Sequence, residues 1–162
     1  MKKILISSVS LICVLLLKSC VTANIQQSPP PLIAHFENQI DKNANYVLAN
    51  EWMVESFNDA ESVIQFTDKE SGTIKGKYTL RTAYVSTSPY VASRPGLSAI
   101  ITIRVRDNAC RIEIDPPSSG FYSAMSMGTE TGYTASMFDE AGRNLINDFQ
   151  KRMNGTEPSS SW

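Results

Sequence analysis

The sequence predicts an α+β domain: a five-stranded antiparallel sheet with two helices packed on one face, in the order β-α-β-β-β-β-α. Three patterns carry the prediction. Apolar residues recur at helical spacing in two stretches, Tyr46, Ala49, Met53 and Phe57, then Phe138, Ala141, Leu145, Phe149 and Met153. Between them, residues 62–81 and 97–115 alternate with period two, and each alternation is broken by a turn, as in a hairpin. A fifth alternating stretch at 32–39 precedes the first helix. With 162 residues the chain is long enough for one domain with a core and short for two.

The chain opens with Lys2 and Lys3, an apolar run over 4–17, and small residues at Ser19 and Cys20. Crossing a bilayer takes roughly 20 apolar residues, so this pattern reads as a signal peptide over 1–19. Leu17, Ser19 and Cys20 resemble the lipobox of bacterial lipoproteins, which implies cleavage and acylation at Cys20 with fatty acids such as palmitate. Lys18 departs from the small or apolar residue usual there. The alternative is cleavage after Ala23, where Val21 and Ala23 suit an ordinary signal peptidase. Either cut leaves Cys110 as the lone core cysteine, so no intramolecular disulfide can form in an oxidising compartment, and a small buried apolar role is expected for it. Cleavage at Cys20 removes three of the 15 basic residues and none of the 16 acidic ones, leaving 12 against 16. The resulting acidic balance argues against general polyanion binding and leaves room for a local basic patch.

Residues 20–31 are expected to form a lipid-attachment cysteine followed by a Pro-rich tether, because Pro29, Pro30 and Pro31 favour an extended spacer. Leu32, Ala34 and Phe36 form the inner side of the first strand. Asp41 or Asn43 caps the first helix. In the first hairpin Ile64 and Phe66 share a buried face, Gly72 supplies a positive φ at the turn, and Ile74, Tyr78 and Leu80 return inward. In the second, Ile101, Ile103 and Val105 face in, residues 107–109 turn, and Ile112 and Ile114 pair back before Pro116 and Pro117 end the strand. Residues 116–135 show no sustained period and read as a loop. Its Phe121, Tyr122, Met125, Met127 and Tyr133 either form an adaptable binding surface or fold over the sheet edge and bury themselves. Ser136 is the expected cap of the last helix, Asn154 and Gly155 stop it, and 154–162 reads as a disordered tail.

Trp52 and Phe57 on the first helix, Val63, Ile64 and Gln65, and the run over 68–77 give residues 50–80 a likeness to a known family. The stretch resembles the core of an uncharacterised bacterial domain family with a TATA-binding-protein-like fold, common in secreted proteins and lipoproteins. The likeness extends over 32–153, which is expected to be the domain. It implies a fold and no activity, and nucleic-acid binding does not travel with the name of a fold.

Chemical motifs are sparse. Gly72, Gly76 and Lys77 suggest a phosphate-gripping loop, yet three residues separate the glycines where four are required, and Tyr78 stands in place of Ser or Thr. The stretch reads instead as a strand in which Gly76 marks a bulge or close packing. His35 is the only histidine, so no His-based triad or multi-His zinc site is expected, and no metal or cofactor. Glu37 and Glu113 could act as paired carboxylates of a hydrolase, although carboxylates facing arginines on a strand commonly form ion pairs.

One pattern stands out. Placing the Ile, Tyr and Leu residues inward sends Lys75, Lys77, Arg81, Arg104, Arg106 and Arg111 to the opposite face, with His35, Glu37 and Glu113. This basic face suits an anion, whether on an envelope glycan, a lipid headgroup or an acidic partner protein. The plain alternative is that these residues solvate the uncovered side of the sheet and guard its edges. The expected protein is a non-enzymatic binding or assembly module, lipid-anchored in the bacterial cell envelope, in the outer membrane rather than the inner. A soluble periplasmic form is the alternative, and no nucleic-acid partner is expected.

Overall fold

A computed structural model of the chain describes residues 23–57, 64–88, 93–126 and 129–155. The signal peptide over 1–19, Cys20 and the end of the tail from 156 lie outside the described residues. Strands β1 (Ala23–Ile25) and β2 (Leu32–Glu37), helix α1 (Lys42–Ser56), strands β3 (Ile64–Asp68), β4 (Thr73–Arg81), β5 (Leu97–Arg106), β6 (Ala109–Asp115), β7 (Tyr122–Ser126) and β8 (Thr129–Tyr133), and helix α2 (Ala135–Met153) follow in order. The expected five strands form one antiparallel sheet in the order β2-β6-β5-β4-β3.

Alternation decides what this sheet buries. Leu97, Ala99, Ile101, Ile103 and Val105 of β5, Ile112 and Ile114 of β6, and Ile74 of β4 are buried on one side, where Ala49, Trp52 and Met53 of α1 and Phe138, Phe149 and Met153 of α2 cover them. The two helices meet at Trp52, whose ring centroid lies 5.0 Å from that of Phe149 and whose Nε1 donates to Asp148 at 2.8 Å. Gly142 lets α2 approach β2 and β6 closely, because a Cβ there would run into the side chain of Leu32.

Asp41 caps α1, accepting from the amides of Asn43 at 2.8 Å and Ala44 at 3.1 Å. Asn45, fully buried, pins that end of the helix to the sheet. Its Nδ2 donates to the carbonyls of Ile40 and Arg106, each at 3.0 Å, and its Oδ1 accepts from Asn38 at 2.7 Å. Gly72 takes φ 70° at the β3–β4 turn, where a side chain would strike the carbonyl of Val105.

Four local expectations are corrected. The segment 116–135 contains the β7–β8 hairpin, and the stretch read as a tether contributes β1, which pairs with β7 through Ala23–Ala124, Asn24–Ser123 and Ile25–Tyr122. Gln26 continues the attachment: its amide donates to the Phe121 carbonyl at 2.9 Å, and its side chain accepts from Ala135 at 2.9 Å. Thr134, not Ser136, caps α2, accepting from the Met137 amide at 3.3 Å. A bulge between Ile64 and Phe66 places Phe66 opposite Lys75 on the uncovered side, half exposed, so it does not share the buried face of Ile64.

Candidate functional site

Both helices lie on one side of the five-stranded sheet, so the outward side chains of its strands form an uncovered face. Cross-strand register orders them into rows. The first row runs Glu37, Ala109, Arg106; the second His35, Arg111, Arg104, Thr73; the third Ile33, Glu113, Thr102, Lys75; the fourth brings together Asp115, Ile100 and Lys77. Five of the six cations expected on this face are therefore there. Arg81 is not. A register shift between Thr79 and Arg81 sets Arg81 opposite inward-facing Leu97, and its guanidinium lies 5.5 Å from the ring centroid of Tyr122 and donates to the Pro95 carbonyl at 3.2 Å. Two-residue counting failed because one extra residue in a strand turns every later side chain over.

Arg104 and Arg111 stand directly opposite each other on neighbouring strands, an arrangement that like charges disfavour. Glu113 relieves it, with its Oε2 2.8 Å from Arg111 and 3.4 Å from Arg104. One carboxylate thus serves two guanidiniums, and the Nε of Arg111 is buried without a hydrogen-bond partner. Arg106, Lys75 and Lys77 form no ion pair among the described residues. Around Ala109, whose methyl is the smallest side chain in its row, a hollow of about 360 Å³ opens between Glu37 and Arg106, bordered by His35, Arg104 and Arg111.

The two carboxylates considered for hydrolysis are not brought together. Glu37 is level with Ala109, and Glu113 lies four residues further along β6, roughly 13 Å at the rise of a strand. A working glycosidase pair is separated by about 5 to 9.5 Å. Sequence reasoning overlooked Asp115, which shares this face. Its carboxyl titrates above the ordinary value because it is partly desolvated and because the Glu113 carboxylate is near, against the pull of Lys75, Arg104 and Arg111. The alternation of β6 was enough to place it; its neighbours' charges were not legible without the register.

Elsewhere, burial raises two core groups. The Cys110 thiol is buried and pushed up to about 11 by desolvation, which fits the apolar role expected for it. Burial, with a smaller contribution from Tyr78, pushes Tyr133 up to about 12. Phe121 and Tyr133 are buried against Phe138, with ring centroids 6.0 Å apart in the Phe121–Tyr133 and Phe121–Phe138 pairs, while Met125 is exposed. Most of the aromatic content of 116–135 thus closes the core. Among the described residues no group of three or more His, Cys, Asp or Glu could hold a metal ion, and no helix is long and apolar enough to cross a membrane.

A DUF4468 family protein from Bacteroides ovatus has a similar structure, with a TM-score of 0.51 at 14% identity over 82% of this chain and 89% of that one. A TBP-like protein from Parabacteroides distasonis is similar with a TM-score of 0.49, again at 14% identity, over 76% of this chain and 91% of that one. No curated protein matches. The model of a domain of unknown function with a TBP-like fold, DUF4468, matches residues 38–118, which run from the approach to α1 through β6 and include Lys75, Lys77, Arg104, Arg106 and Arg111 but not His35 or Glu37. That match spans half of the 162 residues, and the chain belongs to the DUF4468 family.

Proposed function

We propose that this protein is a non-enzymatic binding module of the bacterial cell envelope, anchored through an acylated Cys20, which holds an anionic partner on its uncovered sheet face. The observation that carries the reading is the row of Arg111 and Arg104, two guanidiniums in direct cross-strand opposition with a single carboxylate between them. A solvating surface alone has no need for that arrangement, since alternating Lys, Thr and Glu would keep the sheet soluble without cross-strand repulsion. The nearby positions of Arg106, Lys75 and Lys77 extend the positive field over three strands.

The anchoring part rests on the lipobox-like Leu17, Ser19 and Cys20 and gains support from β1. Cleavage at Cys20 leaves that three-residue strand whole, whereas cleavage after Ala23 removes the residue that pairs with Ala124. Only Val21 and Thr22 then separate the acylated residue from β1, about 10 Å of extended chain at most, so the domain would sit against the bilayer with little slack. A soluble periplasmic protein beginning at Asn24 is the second reading.

Binding is tested with the full chain in nonionic detergent, mixed with phosphatidylcholine vesicles with and without phosphatidylglycerol. Preferential capture of the anionic vesicles that weakens with salt is expected, as is its loss in a combined Lys77→Glu, Arg104→Glu and Arg106→Glu variant that keeps the wild-type circular dichroism spectrum. Lys69→Glu, in the β3–β4 turn, is expected to bind as wild type does. Equal capture by the triple variant and the wild type would remove the basic face from the account of binding.

A further inference from the structure

We propose that the hollow over Ala109 is a binding site for a phosphate group, held by Arg104, Arg106 and Arg111 with His35 at its border. The proposal rests on the open-face reading above and sharpens it from a charged surface to a defined pocket. Three observations converge on it. The hollow lies at the row where small Ala109 stands between Glu37 of β2 and Arg106 of β5, and its volume of about 360 Å³ falls within the range of small-molecule sites. Three guanidiniums border it, from two neighbouring strands and two successive rows. Glu113 neutralises one positive charge of the Arg104–Arg111 pair, and Arg106 has no acidic partner among the described residues.

Charge and shape together select the ligand class. A planar carboxylate presents its two oxygens in one plane and is matched by a single guanidinium fork. A tetrahedral oxyanion presents oxygens in several directions and can take donors from three separate side chains, with His35 supplying a further ring N–H. Glu37 on the opposite wall works against binding, so the site is one of moderate strength whose affinity its own rim holds down. The phosphate can belong to a soluble phosphate ester or to a lipid headgroup, since the same atoms recognise both.

The test is calorimetric titration of the full chain in nonionic detergent with inorganic phosphate and with methyl phosphate. One site per chain is expected for both. Loss of a charged hydrogen-bond donor predicts binding at least about tenfold weaker in Arg106→Gln. Ala109→Leu, which fills the hollow and changes no charge, is expected to abolish binding while leaving the unfolding midpoint near that of wild type. Glu37→Gln is expected to tighten binding, and Lys69→Gln, in the β3–β4 turn, to leave it unchanged. Phosphatidylcholine vesicles containing phosphatidic acid identify the source: capture tighter than that of methyl phosphate assigns a lipid headgroup, and equal capture a soluble ester. Absence of binding to both phosphates, or binding undiminished in Ala109→Leu and in Arg106→Gln, overturns the proposal. If the triple charge-reversal variant still loses anionic vesicles in that event, the pocket alone falls and the open-face reading stands; if it does not, both fall.

Discussion

Asn45 shows how one buried polar side chain can define the position of an element. Its amide joins the β2–α1 connection, the first turn of α1 and the end of β5, and each of its bonds replaces one that water would otherwise supply. Asn45→Ala leaves the Asn38 amide and the Ile40 and Arg106 carbonyls short of a partner, so a loss of about 2 kcal/mol is expected in urea unfolding. A change below about 0.5 kcal/mol, the scale of a bland surface substitution, would show that water fills the gap. Asp115 supplies a test of opposite sign. Its folded-state value is raised above the ordinary 3.8, so ionisation costs folding stability at neutral pH, and that cost disappears as the pH falls below the unfolded-state value. Asp115→Asn is therefore expected to raise the melting temperature at neutral pH, with the gain fading on acidification; a gain independent of pH would contradict it. Cys110, pushed up to about 11, is expected to resist alkylation in the native protein and to react once the protein is unfolded. The buried role of Cys110 was read from the sequence and the alternation of β6 could have placed Asp115, but nothing local marked Asn45, whose partners lie up to 61 residues away.

At the scale of elements, the strongly patterned stretches were legible and the short ones were not. β4, β5 and β6 alternate for seven to ten residues, long enough for period two to stand clear of chance. β1, β7 and β8 run three to five residues and consist largely of small and polar side chains, so their pairing rests on backbone hydrogen bonds that the sequence pattern does not report. The two register shifts in β3–β4 and β4–β5 were equally silent, and they moved Phe66 onto the uncovered face and Arg81 off it. β1 also makes a direct prediction. The Gln26 amide, bonded to Phe121, is expected to be protected from hydrogen exchange, whereas a free tether would exchange at the rate of an unfolded chain.

For the whole molecule, the layering explains where binding can occur. One side of the sheet is fully committed to α1, α2 and the aromatic cluster of Phe121, Tyr133 and Phe138, and among the described residues no layer covers the other. Under the proposed acylation of Cys20, the two residues before β1 would hold the domain close to a membrane with its charged face available to a partner. Attachment at Cys20 is the premise on which that geometry depends, and the intact mass of the protein recovered from the membrane and soluble fractions of a bacterial host tests it directly. A chain beginning at an acylated Cys20 in the membrane fraction, lost from it in Cys20→Ala, is the predicted result. An unmodified chain beginning at Asn24 in the soluble fraction would contradict it.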